Sequence, residues 1–206
     1  MPHVLFDTKK LEGREGYFLI TSLVIPRPIA WVSSLSPDGI LNLAPHSYFN
    51  IISSDPLIVH FTSTGVKDSL TNVRATGEFV INIVTEDLLE QMNDSSTRFP
   101  PEENEFEWAG LETAPSVHVA PPRVAAAPAA LECKLNQIVS LGNGNMVFGD
   151  VTAIHVDEAV MEDGRVMPDL LRPLARLGGS NYATVAGHTL KLPRPTWEEM
   201  QQRGKP

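Results

Sequence analysis

Three features of the sequence predict a mainly β chain, an antiparallel Greek-key barrel with a few short helices around it. Short runs rich in β-branched and aromatic residues recur, as at Ile29 to Leu35, Leu57 to Phe61 and Glu78 to Val84. Turn chemistry separates such runs, at Ser36-Pro37-Asp38-Gly39, Asn143-Gly144 and Asp163-Gly164. Finally, Leu131, Cys133, Leu135, Val139 and Leu141 alternate with polar residues, the period of a half-buried strand. At 206 residues and 42% hydrophobic content, one domain over residues 1–206 with a sizeable core is expected.

In chain order, Tyr17-Phe18-Leu19-Ile20 forms a short element that ends at Ile25-Pro26. Pro26 and Pro28 hold Arg27 extended, because a residue before proline is pushed out of the α region. The strand from Ile29 turns at Pro37 and Gly39, so that Ile40 to Ala44 returns antiparallel. Asn42 to Asn50 (NLAPHSYFN) gathers polar and aromatic groups around one proline. There Tyr48 and Phe49 can cover an aromatic ligand, or Phe49 and Ile51 can be plain core. Asp55-Pro56 opens the strand through Phe61, which runs into Thr62-Ser63-Thr64-Gly65 and a helix starting at Lys67-Asp68-Ser69-Leu70. Strand, hydroxyl-rich Gly loop, cation and helix start together make an anion pocket, since free N–H groups and the helix dipole converge there.

That helix buries Leu70 and Val73 and stops at Gly77, and Thr85 caps the next one, with Leu88, Leu89 and Met92 as its apolar stripe. Residues 95–122 are Pro-rich and acidic, with Glu102, Glu103, Glu105 and Glu107 around Phe106 and Trp108. They read as a long loop with one helical turn, either a lid or a solvated loop anchored by Trp108. His46 has no partner at metal-ligand spacing and is expected to face solvent or form a hydrogen bond; His60 alternates with apolar neighbours as a core histidine would. Cys133 falls on the apolar face, as a small buried hydrophobe rather than a nucleophile. Asn143-Gly144 leads into the strand from Met146 to Val156, and Gly178-Gly179 reads as a loop of structural glycines. Pro193 to Pro206 ends in a short polar helix around Trp197, expected to pack on a neighbouring subunit.

The 25 acidic residues exceed the 16 basic ones, for a formal charge of −9, and that field opposes a nucleic-acid partner. An anionic ligand therefore needs local cations, and Arg27, Lys67 and Arg74 stand out. A single cysteine leaves no intramolecular disulfide or Cys-cluster metal site, and no metal is expected. Without a signal-like or membrane-length apolar run, a cytoplasmic chain with no membrane partner is the expectation.

RPIAWVSS, NLAPHSYFN, the strand ending FTST followed by KDSLTN, GEFVINIV, PAALECKL and LARLGGSNYATV resemble, in this order, the flavin reductase-like, FMN-binding split-barrel family. The resemblance implies a homodimeric split β-barrel that binds FMN, with FAD as the alternative, between two subunits. Carried over residue by residue, the cofactor-binding set is Arg27, Trp31, Val32, Ser33 and Ser34; then Asn42, Ala44 and His46 to Asn50 (Ser47, Tyr48, Phe49); then Thr62, Ser63, Thr64, Lys67 and Asp68; and finally Arg176 and Tyr182. The expected groove lies on the two strands from Ile29 to Ala44, with the phosphate at Ser63 to Lys67. The resemblance also brings the Gly178-Gly179 segment towards the flavin and makes residues 95–122 shape substrate access.

No Gly-x-Ser-x-Gly elbow, P-loop or histidine cluster is present, which suits a protein whose cofactor carries the chemistry. No side chain is expected to be catalytic. The resemblance implies an NAD(P)H-dependent flavin reductase, passing hydride from nicotinamide C4 to flavin N5 and serving a partner monooxygenase or a small acceptor. The alternatives are an electron carrier with tightly held FMN and a protein redox partner, or a non-catalytic binding protein that keeps only the barrel.

Overall fold

The computed structural model describes residues 1–203. The last three residues of the expected C-terminal helix stretch lie outside the described residues. The chain opens with α1 (Glu15–Leu23), β1 (Arg27–Pro28), β2 (Ala30–Leu35), β3 (Leu41–His46), β4 (Phe49–Ser54) and β5 (Leu57–Thr64). After α2 (Asp68–Thr76) and β6 (Glu78–Ile83) come α3 (Leu89–Asp94), the single turn α4 (Glu105–Trp108), β7 (Thr113–Ala114) and β8 (Arg123–Val124). The long hairpin β9 (Ala129–Leu141) and β10 (Gly144–Val156) precedes β11 (Met161–Glu162), β12 (Arg165–Val166), α5 (Pro168–Leu171), β13 (Leu174–Arg176), β14 (Tyr182–Thr184) and α6 (Trp197–Arg203). Among the described residues, no helix is long and apolar enough to cross a membrane.

Seven strands form one antiparallel sheet in the order β3-β2-β6-β9-β10-β5-β4. Its two edge strands, β3 and β4, are consecutive in the chain, so the sheet must curl to join them. The ring of His46 on β3 lies 4.7 Å from that of Phe61 on β5, yet no ladder links β3 to β4 or β5. The result is a barrel with one open seam.

Both faces of the central strands are covered. Ala30, Val32, Phe61, Phe79, Ile81, Cys133 and Val147 pack with Leu70 and Val73 of α2 in one cluster. Trp31, Leu43, Leu88, Met92, Phe106, Val124 and Leu174 form another on the opposite face. β2 therefore buries every residue from Ala30 to Ser34, and its serines are satisfied internally: Ser33 Oγ donates to Pro122 O and Ser34 Oγ to Asn42 Oδ1. Gly149 sits beside the Phe79 ring, and a Cβ there would overlap it.

Several local expectations are corrected. Phe49–Ser54 is a strand that the Pro-containing NLAPHSYFN stretch hid. Along β9 the alternation breaks at a bulge opposite Phe148/Gly149, which brings Ile138 to the core and leaves Leu141 exposed. The β9–β10 turn is Gly142-Asn143, one residue earlier than expected, with Gly142 at φ 57° where a two-residue hairpin can demand a glycine. Thr85 makes no side-chain cap. Trp108, 63% exposed, does not tie the 95–122 segment to the core; Phe106, at 1%, does. His60 is half-buried, and its buried Nδ1 has no hydrogen-bond partner among the described residues. Gly178 approaches Ser22 of the α1 helix closely, so its missing Cβ serves packing inside the chain.

Candidate functional site

Three of the chain's sixteen basic residues meet at the open seam. A cavity of about 300 Å³ lies there between β3, β5, α1 and the β13–β14 loop. Arg27, Lys67 and Arg176 line it, and no Asp or Glu does so among the described residues. For a chain of charge −9 this is a pronounced local inversion. All three tyrosines of the sequence, Tyr17, Tyr48 and Tyr182, line the same space.

Each cation is placed by a different device. Arg27, 8% exposed, is a clamp: its guanidinium donates to Thr21 O at 2.6 Å, Val24 O at 2.7 Å and Leu177 O at 2.9 Å. Its Nε reaches Ser47 Oγ at 3.4 Å. The carbonyls occupy most of its donors, so it lends the cavity charge and holds the end of α1 against the β13–β14 loop. The Arg176 guanidinium lies 4.5 Å from the Tyr182 ring centre and donates to Tyr182 Oη and Gly179 O. Lys67 is exposed and in no ion pair among the described residues. It is the extended residue just before α2 and adds no side-chain cap, which leaves first-turn N–H groups of this nine-residue helix open to an anion.

His46 forms the floor. Burial, with the Lys67 charge second and the Thr62 backbone opposing both, lowers its pKa to about 4. The imidazole is therefore neutral at pH 7, and its Nε2 lies 3.3 Å from Ser69 Oγ. Of the two expected placements, facing solvent or forming a hydrogen bond, the second is found: His46 is buried against Ser69. Burial and the nearby Tyr17 push the Tyr48 hydroxyl up, against the pull of Arg27.

A second cavity of about 520 Å³ adjoins the first and shares Pro45, His46, Thr64, Lys67 and Ser96 with it. Glu105 closes one side, accepting from Asn42 Nδ2 at 2.7 Å and from Leu43 N at 3.0 Å. Burial raises its pKa against those donors.

The structure thus brings together Arg27, His46, Ser47, Tyr48, Thr62, Thr64, Lys67, Arg176 and Tyr182 on the first cavity, and Asn42, Ala44 and Asp68 on the second. It does not bring in the rest of the expected set. Trp31, Val32, Ser33 and Ser34 have no exposed surface, so no groove runs over the faces of β2. Phe49 packs on the barrel core, and Asn50 lies away on β4. Ser63 alternates away from Thr62 and Thr64, is buried, and donates to Gly65 O at 3.0 Å. Tyr17 and Thr21 of α1, with Ser96, Arg98 and Phe99, line the cleft without having been singled out. Only the aromatic cluster at Tyr17 offered a signal for any of them.

The site's donors suit a ligand that joins an anionic group to a ring: three cations, open helix N–H groups, hydroxyls at Ser47, Thr62 and Thr64, and flanking tyrosines. Component B of the nitrilotriacetate monooxygenase of Bacillus cereus superposes with a TM-score of 0.89 at 33% identity, over 93% of this chain and 100% of that one. The 2-nitrobenzoate 2-nitroreductase of Pseudomonas fluorescens does so at 0.87 and 36%, over 94% and 98%. The reductase subunit of a flavin-dependent monooxygenase from Mycobacterium tuberculosis is 30% identical over 112 residues, 54% of this chain and 57% of its own. Residues 22–175, well over half of the chain, match the model of the flavin reductase like domain, and the chain belongs to that family.

Proposed function

We propose that the chain is an NAD(P)H-dependent flavin reductase that binds FMN at the seam of a homodimer. The observation that carries this reading is the cavity at the start of α2, lined by three cations and by no carboxylate among the described residues, which adjoins a second cavity with room for a second ligand. The phosphate belongs beside Lys67 and the first turn of α2, where Thr64 adds a hydroxyl. Bound FMN supplies the hydride-accepting ring. The chain's own part is to hold the phosphate, to keep the floor uncharged through neutral His46, and to flank the ring with tyrosines. No side chain is needed as acid or base for hydride transfer. The relatives from Bacillus cereus and Mycobacterium tuberculosis are parts of monooxygenases, which supports a partner monooxygenase as recipient of the reduced flavin. The relative from Pseudomonas fluorescens supports a second reading, direct reduction of a small acceptor in the same cleft.

The homodimer has its own support. α1 buries only Thr21, while Phe18, Ile20 and Leu23 are bare beside a cavity this helix helps to line. A nine-residue helix gains stability mainly from covering its apolar residues, and a second subunit provides that cover.

Anaerobic absorption spectra of the FMN-loaded protein, before and after NADH or NADPH, test the function. Bleaching of the oxidised flavin band by a nicotinamide is expected. Tightly bound flavin that neither nucleotide reduces would favour the electron carrier, and failure to bind FMN would leave only the barrel.

A further inference from the structure

The second cavity has a wall of its own. Residues 96–104 run between two buried anchors. One is Ser95, whose Oγ accepts from Trp31 Nε1 at 2.9 Å and donates to Met92 O at 2.9 Å. The other is Glu105, tied to Asn42 and Leu43 as above. Between them the loop is braced: Phe99 stacks on Trp108 with ring centres 5.6 Å apart and 24° between planes. Trp108 Nε1 donates to Glu103 Oε2 at 2.8 Å. Arg98 and Phe99 line the cavity, and Arg98 is exposed and in no ion pair among the described residues.

Charge sorts the neighbouring cavities. Beyond Asn42, Asp68 and Glu105 lies a third, of about 520 Å³, lined by Asp38, Asp68, Glu102, Glu103 and Glu105 with no Lys or Arg among the described residues. The second cavity stands between this acidic space and the cationic one, with Lys67 and Arg98 as its cations. Lys67 is shared with the first cavity and is taken by the cofactor's phosphate. That leaves Arg98 as the cation for a second anionic ligand, and the acidic space beyond repels phosphates.

We infer that the Arg98–Phe99 wall holds the nicotinamide dinucleotide, Arg98 on a phosphate and Phe99 against one of its aromatic bases; this rests on the flavin reductase reading. A guanidinium matches phosphate with paired N–H donors, and an aromatic ring accepts either base by stacking. The Arg98 contact falls on a phosphate, away from the nicotinamide C4, so it binds substrate and transition state alike and sets KM rather than kcat.

The test is steady-state and stopped-flow reduction of FMN-loaded protein by NADH and by NADPH, comparing wild type with Arg98→Ala and Arg98→Lys. Arg98 is exposed and carries no hydrogen bond among the described residues, so the fold does not depend on it. Arg98→Ala is expected to raise the nicotinamide KM about ten- to a hundred-fold, with kcat within about two-fold and the FMN Kd unchanged. Arg98→Lys restores part of the loss, and raising salt weakens donor binding more in wild type than in Arg98→Ala. An unchanged KM in Arg98→Ala, beside an active wild type, overturns this inference alone, as does a fall in kcat at constant KM. A wild type that binds FMN but is reduced by neither nucleotide overturns the function and this inference with it.

Discussion

Lys67 and His46 share the cleft floor but act through opposite properties. Lys67 is exposed and in no ion pair among the described residues, so Lys67→Ala should weaken FMN binding without unfolding the chain. Loss of one charge-assisted contact costs about 1.5–3 kcal/mol, or roughly one to two decades in Kd, read by fluorescence titration. An unchanged Kd would move the phosphate elsewhere. Ser63→Ala is expected to act through the loop, since its hydroxyl holds Gly65 O. His46 instead has its charge suppressed, with a folded pKa of about 4 against 6.5. As pH falls through that window the unfolded chain takes up a proton that the folded chain refuses, so stability declines with falling pH and levels off below it. About 2 kcal/mol should be lost between pH 7 and pH 5 from this residue alone. Urea unfolding of wild type and His46→Gln at the two pH values measures it; equal declines in both would refute the assignment.

At the scale of elements, the decisive piece is the 95–122 segment, and beside the apolar anchor of Phe106 its hold on the barrel is polar. Glu105→Ala would strand the buried Asn42 amide and Leu43 N–H together, for a loss of about 2–5 kcal/mol. Glu105→Gln keeps an acceptor and should cost less. Thermal unfolding gives the size, and limited proteolysis should show faster cutting within 95–122 in the alanine variant; wild-type protection there would count against the anchor. A second strap lies further along: Glu132, buried in β9, accepts from Val117 N at 2.7 Å, His118 N at 2.6 Å and His155 Nε2 at 2.6 Å. Burial alone would raise its pKa, but these donors and the His155 charge outweigh it and leave the carboxyl below its ordinary value.

For the whole molecule, the open seam and the bare α1 lead to one expectation. If a second copy covers α1 and closes the cleft, FMN bound there should stabilise the dimer against dilution. Sedimentation velocity over a dilution series, with and without FMN, measures this. A monomer that binds FMN with undiminished affinity would rule out the shared site.

Much of the framework was legible locally. The turn at Pro37 to Gly39, the strand after Asp55-Pro56, the helix from Asp68 to the left-handed Gly77, and the buried Cys133 all follow from propensities and periods that act over a few residues. The placing of Thr64 and Lys67 on one cavity at the start of the helix is equally local, because strand, loop and helix start are contiguous. Three things were decided only by tertiary structure. The curl of the sheet placed the cleft at the seam instead of on the faces of β2, since a second core covers the face that carries Trp31. Arg27 became a clamp because α1 and the β13–β14 loop, whose Leu177 lies 150 residues after Arg27, both present carbonyls to it. Arg98 and Phe99 reached the cleft because Glu105 ties their loop to β3. Each depends on groups distant in sequence meeting in space, and no local pattern encodes such a meeting.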